Sequence, residues 1–158
     1  MLALAWVVLL GLGLFFFSDL IGKQRNPNQS VQSRYGEDGV REIVLQRNKF
    51  GHYVTNGMIN GQPVTFMLDT GATGVAVPEA MANRLRLPRG VAFPTQTANG
   101  MATSYAVTLD SVSVGSIQLR DIPAGIAPGL HSEEALLGMS FLKHIEFTQA
   151  GDTLILRQ

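Results

Sequence analysis

Phe66-Met67-Leu68-Asp69-Thr70-Gly71-Ala72-Thr73 decides the fold. The run Val64-Thr65-Phe66-Met67-Leu68 alternates, with Val64, Phe66 and Leu68 on one face, so it reads as a strand half buried in a core. Such a strand reaches Asp69 with its backbone fixed and hands the carboxylate to a turn containing Gly71. The plainer alternative is an Asx-type turn at a strand end, since Asp, Thr and Gly are ordinary turn residues. Upstream, Met58-Ile59-Asn60-Gly61-Gln62-Pro63-Val64 places Asn-Gly between two apolar runs, a strong hairpin signal, so a hairpin feeds the Asp69 loop.

Short strands are expected around Ile43 and Leu45, at Tyr53-Val54-Thr55, and at Val75-Ala76-Val77, the strand leaving the loop. Pro78 to Leu85 begins with Pro at a first helical position and predicts a short helix ended by Pro88-Arg89-Gly90. A second hairpin is expected from Val91 to Leu109, turning at Asn99-Gly100, and the strand pattern continues through Gly115-Ser116. Glu134 to His144 is the second helix expected, with Glu133-Glu134 as its acidic first turn, and a hairpin around Ala150-Gly151-Asp152 closes the chain.

The chain has 158 residues, 46% of them hydrophobic, formal charge +0 and no Cys, which suits one globular domain plus an appendage. There is no basic excess to suggest nucleic acid. Met1 to Phe17 carries no charged residue, and residues 2 to 21 just reach the roughly 20 apolar residues that a membrane span needs. Residues 1–21 are therefore expected to be a transmembrane anchor. A cleaved signal peptide is the competing reading, but no basic start and no small-residue cleavage site accompany the run. Lys23 and Arg25 follow the span, which by the positive-inside rule favours a cytoplasmic domain, but two charges leave the side undecided. Residues 22–40 are polar, rich in Gly and Asn and non-periodic, so they read as a flexible tether, with the folded domain at 41–158.

Two stretches together resemble the retropepsin-like (retroviral-type) aspartic proteases: the Asp69-Thr70-Gly71-Ala72 loop, and Ala135-Leu136-Leu137-Gly138-Met139-Ser140-Phe141-Leu142, which is similar to the family's hydrophobic-hydrophobic-Gly segment. An Asp-[Ser/Thr]-Gly-[Ala/Ser] string arises by chance in about 1% of chains this long, so the second motif about 65 residues later carries much of the weight. The apolar N-terminus, and Leu-Leu-Gly-Met-Ser-Phe-Leu where viral forms usually carry Gly-Arg-Asn, look more like the membrane-anchored, single-Asp-Thr-Gly aspartyl proteases of bacteria.

The resemblance implies a mainly β, retropepsin-like closed antiparallel domain with one or two short helices, joined to an N-terminal transmembrane helix. It implies an aspartic endopeptidase with Asp69 as the catalytic acid. Peptide hydrolysis without metal or covalent nucleophile needs a general base for water and a general acid for the leaving nitrogen, and two carboxyls sharing one proton supply both. This chain offers one such Asp, so the second is expected from Asp69 of another copy across a two-fold axis. Thr70 would brace the two loops through its hydroxyl, Gly71 would bring its N–H to the carboxylate, Ala72 would stay small beside substrate, and Gly138 would allow close packing behind the loop. A specific supporting role for Gly138 and a simple strand-to-helix turn remain open alternatives. Ala98, Asn99, Gly100 and Met101 would form the tip of a flap that closes over an extended peptide, the alternative being a hairpin with no lid function.

No cofactor is expected, and His52, His131 and His144 are too dispersed in the sequence to suggest a metal site. The partners expected are a second copy, an extended peptide or protein substrate and a membrane, with no nucleic acid. The location implied is a single pass through a bacterial inner membrane. Two other readings stand beside this one: a catalytically silent peptide-binding or assembly module of the same fold, and an unrelated β-barrel with an accidental motif.

Overall fold

The structure, a computed structural model, describes residues 2–36, 39–97 and 100–158, and the side chains of residues 2–5, 8 and 19 lie outside the description. A helix α1 (Leu2–Arg25) precedes a domain made of strands β1 (Ser33–Tyr35), β2 (Arg41–Gln46), β3 (Tyr53–Ile59), β4 (Gln62–Leu68) and β5 (Val75–Pro78). Helix α2 (Glu79–Arg84), β6 (Ala92–Thr97), β7 (Gly100–Val114) and β8 (Ile117–Ala127) follow. The chain ends with β9 (Ala135–Leu137), α3 (Met139–Leu142), β10 (Glu146–Ala150) and β11 (Thr153–Arg157).

The hairpin at Asn60-Gly61 forms as expected, with φ of 50° and 75° at the two turn residues, the left-handed pair that a two-residue hairpin loop requires. It joins β3 to β4 in register from Ile59↔Gln62 to Tyr53↔Leu68. Seven strands run in the order β3-β4-β9-β5-β8-β7-β6, and an additional β3–β7 pairing closes the sheet on itself. A smaller sheet, β1-β2-β11-β10, covers one end. Val64 and Phe66 of β4, Val75 and Val77 of β5, Leu109, Val112, Ile122 and Ile126 of the long β7–β8 hairpin, and Phe141 and Leu142 of α3 bury their side chains in one core with Ile43, Leu45 and Leu156 from the smaller sheet.

The second expected helix is the main correction. Residues 135–137 are a strand, and only Met139–Leu142 are helical. Ala135-Leu136-Leu137 has the composition of a helix, but the gap between β4 and β5 takes it as a strand, parallel to β4 at Phe66↔Ala135 to Leu68↔Leu137 and antiparallel to β5 at Ala76↔Leu136. Glu133 and Glu134 accordingly lie in the loop before β9, where the Ser132 hydroxyl donates to a Glu134 carboxylate oxygen at 2.6 Å and accepts the Glu134 N–H at 3.0 Å.

Residues 22–40, expected as a flexible tether, are attached to the domain at several points. The helix continues to Arg25, Ser33–Tyr35 pairs with β2, and Asn26 and Asn28 are buried. The Asn28 amide nitrogen donates to the Gln46 and Val54 carbonyls at 2.9 and 2.7 Å, and its oxygen accepts the Gln46 N–H at 2.7 Å, so one side chain fills a gap between β2 and β3 as a short strand would. The Asn26 oxygen in turn accepts the Asn28 N–H, and its nitrogen donates to the Asn56 side chain.

Among the residues with described side chains, no helix is long and apolar enough to cross a membrane. Those of α1 that are described, including Trp6, Val7, Leu9, Leu10, Phe15, Phe16 and Phe17, are exposed.

Candidate active site

The loop after β4 turns on Asp69. Its backbone N–H donates to the Leu137 carbonyl at 3.2 Å, extending the β4–β9 pairing one residue past the strand, and its own carbonyl accepts the Ala72 N–H at 3.2 Å. One carboxylate oxygen, Oδ1, accepts the Gly71 N–H at 2.8 Å. A Cβ at Gly71 would come 3.1 Å from that same oxygen, so glycine here lets the amide approach the acid. Asp69 is half buried while Thr70 and Gly71 are exposed at the rim, and Ala72 is half buried.

Strand β9 and helix α3 form the back wall. The Met139 N–H donates to the Ala72 carbonyl at 2.8 Å. A Cβ placed on Gly138 would lie 2.2 Å from the Gly74 carbonyl oxygen and 2.6 Å from that of Ala72, both rigid backbone atoms. Gly138 thus sits where only a hydrogen fits, directly behind the Asp69 loop. Ser140, which sequence reasoning placed in a motif without assigning it a role, accepts the Val75 N–H on its Oγ at 3.0 Å. The second motif contains Ser140, but no local feature of the sequence signals this bond.

The β6–β7 hairpin pairs from Ala92↔Tyr105 to Thr97↔Gly100. Of the four residues expected at its tip, Gly100 is described with φ 107° and Met101 is exposed, while Ala98 and Asn99 lie outside the described residues. The Thr97 hydroxyl donates to the Gly100 carbonyl at 2.7 Å across the tip, and Phe93 near the base packs its ring against Gly125 of β8.

His52 and His131, read as dispersed, line one cleft together with Glu133 and Glu134. Among the described residues, no group of three side chains suited to a metal ion comes together. Neither that cleft nor its neighbour beside α1 is lined by Asp69.

Residues 55–144 match the family described as "gag-polyprotein putative aspartyl protease". An uncharacterised protein from the cobV 5′ region of a Sinorhizobium species is 36% identical over 115 residues, which is 71% of this chain and 49% of that protein. The uncharacterised protein RP867 of Rickettsia prowazekii (strain Madrid E) is 32% identical over 121 residues, 74% of this chain and 52% of that protein. The chain therefore spans about half the length of the curated relatives it matches. Among solved structures, a retropepsin-like aspartic protease from Rickettsia conorii superposes with a TM-score of 0.61 at 29% identity, covering 81% of this chain and 94% of that one. The EIAV protease in complex with the inhibitor HBY-793 shares the fold, with a TM-score of 0.52 at 20% identity over 63% of this chain and 93% of that one. The match spans the Asp69 loop, the β6–β7 hairpin and the β9–α3 wall alike, and the chain belongs to the retropepsin-like aspartic protease family.

Proposed function

We propose that this chain is a membrane-anchored aspartic endopeptidase whose two catalytic carboxylates are both Asp69, one from each copy of a homodimer. The observation that carries the reading is the Asp69 loop itself: a carboxylate held by the Gly71 N–H, on a backbone fixed from behind by Leu137 and Met139. One such acid cannot serve as base and acid in the same step, whereas two sharing a proton can. The charged member takes a proton from water as that water attacks the peptide carbonyl, and the protonated member passes its proton toward the leaving nitrogen. Coupled carboxyls of this kind titrate as a pair.

One feature favours assembly. Strand β10 is the outer strand of its sheet, and its five residues are exposed, Phe147 among them, so it offers a free edge to another chain. The anchor is supported by α1, whose 24 residues would extend about 36 Å, and by apolar side chains exposed at consecutive positions, which leave it no polar face. The substrate is an extended peptide laid under the β6–β7 hairpin.

The test is cleavage of an unfolded protein by the full chain extracted in detergent, with Asp69→Asn as control. Hydrolysis that vanishes in the variant supports the reading. Equal hydrolysis in both, or none in either under conditions where the dimer is present, would favour a silent module of the same fold.

A further inference from the structure

The β2–β3 loop is tied to the end of α1. The Asn48 side chain donates to the Arg25 carbonyl at 2.8 Å, and Lys49 Nζ donates to Gln24 Oε1 at 2.5 Å. The loop is also internally braced: Asn48 Oδ1 accepts the N–H groups of Phe50 and His52, both at 2.9 Å, and Arg47 Nε donates to the Gly51 carbonyl at 3.1 Å. Together with the bonds of Asn26 and Asn28, these contacts fix how far the loop stands from the helix.

That height matters. Gln24 and Arg25 follow Ile21, the last apolar residue of α1, by three and four positions, which is about 4.5–6 Å along a helix axis. A loop bonded to Gln24 and Arg25 lies at the depth where a membrane's headgroups would begin. At that depth the loop shows Phe50, 58% exposed, with Lys49 Nζ 5.1 Å from its ring centre. An exposed aromatic ring beside a cation is the pairing that suits a bilayer interface, the ring entering between headgroups and the ammonium meeting phosphate. The other charges on this face are mixed. Arg47 is 3.5 Å from Asp152, and Arg25 shares its clefts with Glu133 and Glu134, so the cationic part of the contact falls on Lys49, beside Phe50.

We propose that the Arg47–Gly51 loop is a second membrane contact, in which Phe50 enters the headgroup layer and Lys49 meets lipid phosphate. The catalytic domain is then held against the bilayer at two points, rather than swinging on a coil, and its reach is limited to chain segments near the surface. This rests on the anchored reading of α1.

The chain contains a single tryptophan, Trp6, which makes both readings measurable separately. The full chain is reconstituted into vesicles of phosphatidylcholine, alone or with phosphatidylglycerol, carrying brominated acyl chains that quench indole fluorescence. Quenching of Trp6 reports the anchor. A Phe50→Trp substitution in a Trp6→Phe background reports the loop. The proposal expects blue-shifted, lipid-quenched emission from position 50 in both lipids, with the quenching reduced by Lys49→Glu. A larger effect of Lys49→Glu with phosphatidylglycerol assigns the contact to anionic lipid, and an equal effect assigns it to phosphate in general. Unquenched, water-like emission from position 50 overturns the proposal, and Trp6 then tells whether the anchor falls with it.

Discussion

Ser140 and Val75, 65 positions apart, are joined by one hydrogen bond of 3.0 Å in which the Ser140 hydroxyl oxygen accepts the Val75 N–H. Val75 is the first residue of β5, the strand that leaves the Asp69 loop, so this bond sets where the loop ends. The backbone bonds of Asp69 to Leu137 and of Met139 to Ala72 set where it begins and turns. The Asp69 carboxylate is thus positioned by a wall that comes from the other end of the domain.

Ser140→Ala leaves the buried Val75 N–H without a partner and is expected to cost about 1–3 kcal/mol of stability. Because the unpaired group is at the loop's exit, kcat should fall more than KM rises. Thermal unfolding and steady-state kinetics check this, and unchanged values of both would remove Ser140 from the supporting wall.

Gly138→Ala forces a methyl against two backbone carbonyls that cannot retreat, and is expected to cost about 3 kcal/mol or more. Gly129→Ala is the control, since a Cβ there meets nothing within 4 Å. Denaturant midpoints should separate the two variants clearly, and equal midpoints would show that Gly138 is an ordinary turn residue.

Thr70, exposed beside Asp69, is expected to brace the two loops of the dimer. Thr70→Ala should therefore raise the dissociation constant of the dimer while leaving the monomer's fold intact, as read by analytical ultracentrifugation and circular dichroism. An unchanged constant would count against the brace.

Asn28→Ala removes three side-chain hydrogen bonds that join the pre-domain segment to β2 and β3, at an expected cost of about 2–3 kcal/mol. By the same reasoning a chain beginning at residue 41 should melt lower than one beginning at residue 26, because it lacks Asn28 and β1. Comparison of the two melting curves checks this directly.

These sites show what a sequence reveals and what it hides. The Asn60-Gly61 hairpin and the Asp69 turn are local: the residues that set their dihedrals are the residues that form them, so they could be read directly. Ala135-Leu136-Leu137 was not readable as a strand because its own propensity is helical, and only the slot between β4 and β5 makes it extended. Asn28 looks like a loop residue until its side chain is seen to satisfy backbone groups of β2 and β3 some 18 to 26 positions away, and Asn26 until its side chain is seen to join the Asn28 N–H to the Asn56 side chain. Ser140 carried no local signal for its bond to Val75, since a hydroxyl in a short helix is compatible with many partners.

The central claim, that catalysis needs Asp69 from two copies, is tested most directly by mixing the chain with its Asp69→Asn variant at constant total concentration and allowing subunits to exchange. If both acids are required, only dimers with two unaltered chains are active, and an equal mixture should retain about one quarter of the activity of the unaltered protein. Activity that falls only to about half, in proportion to the unaltered chain present, would mean that each copy works alone and would contradict the account.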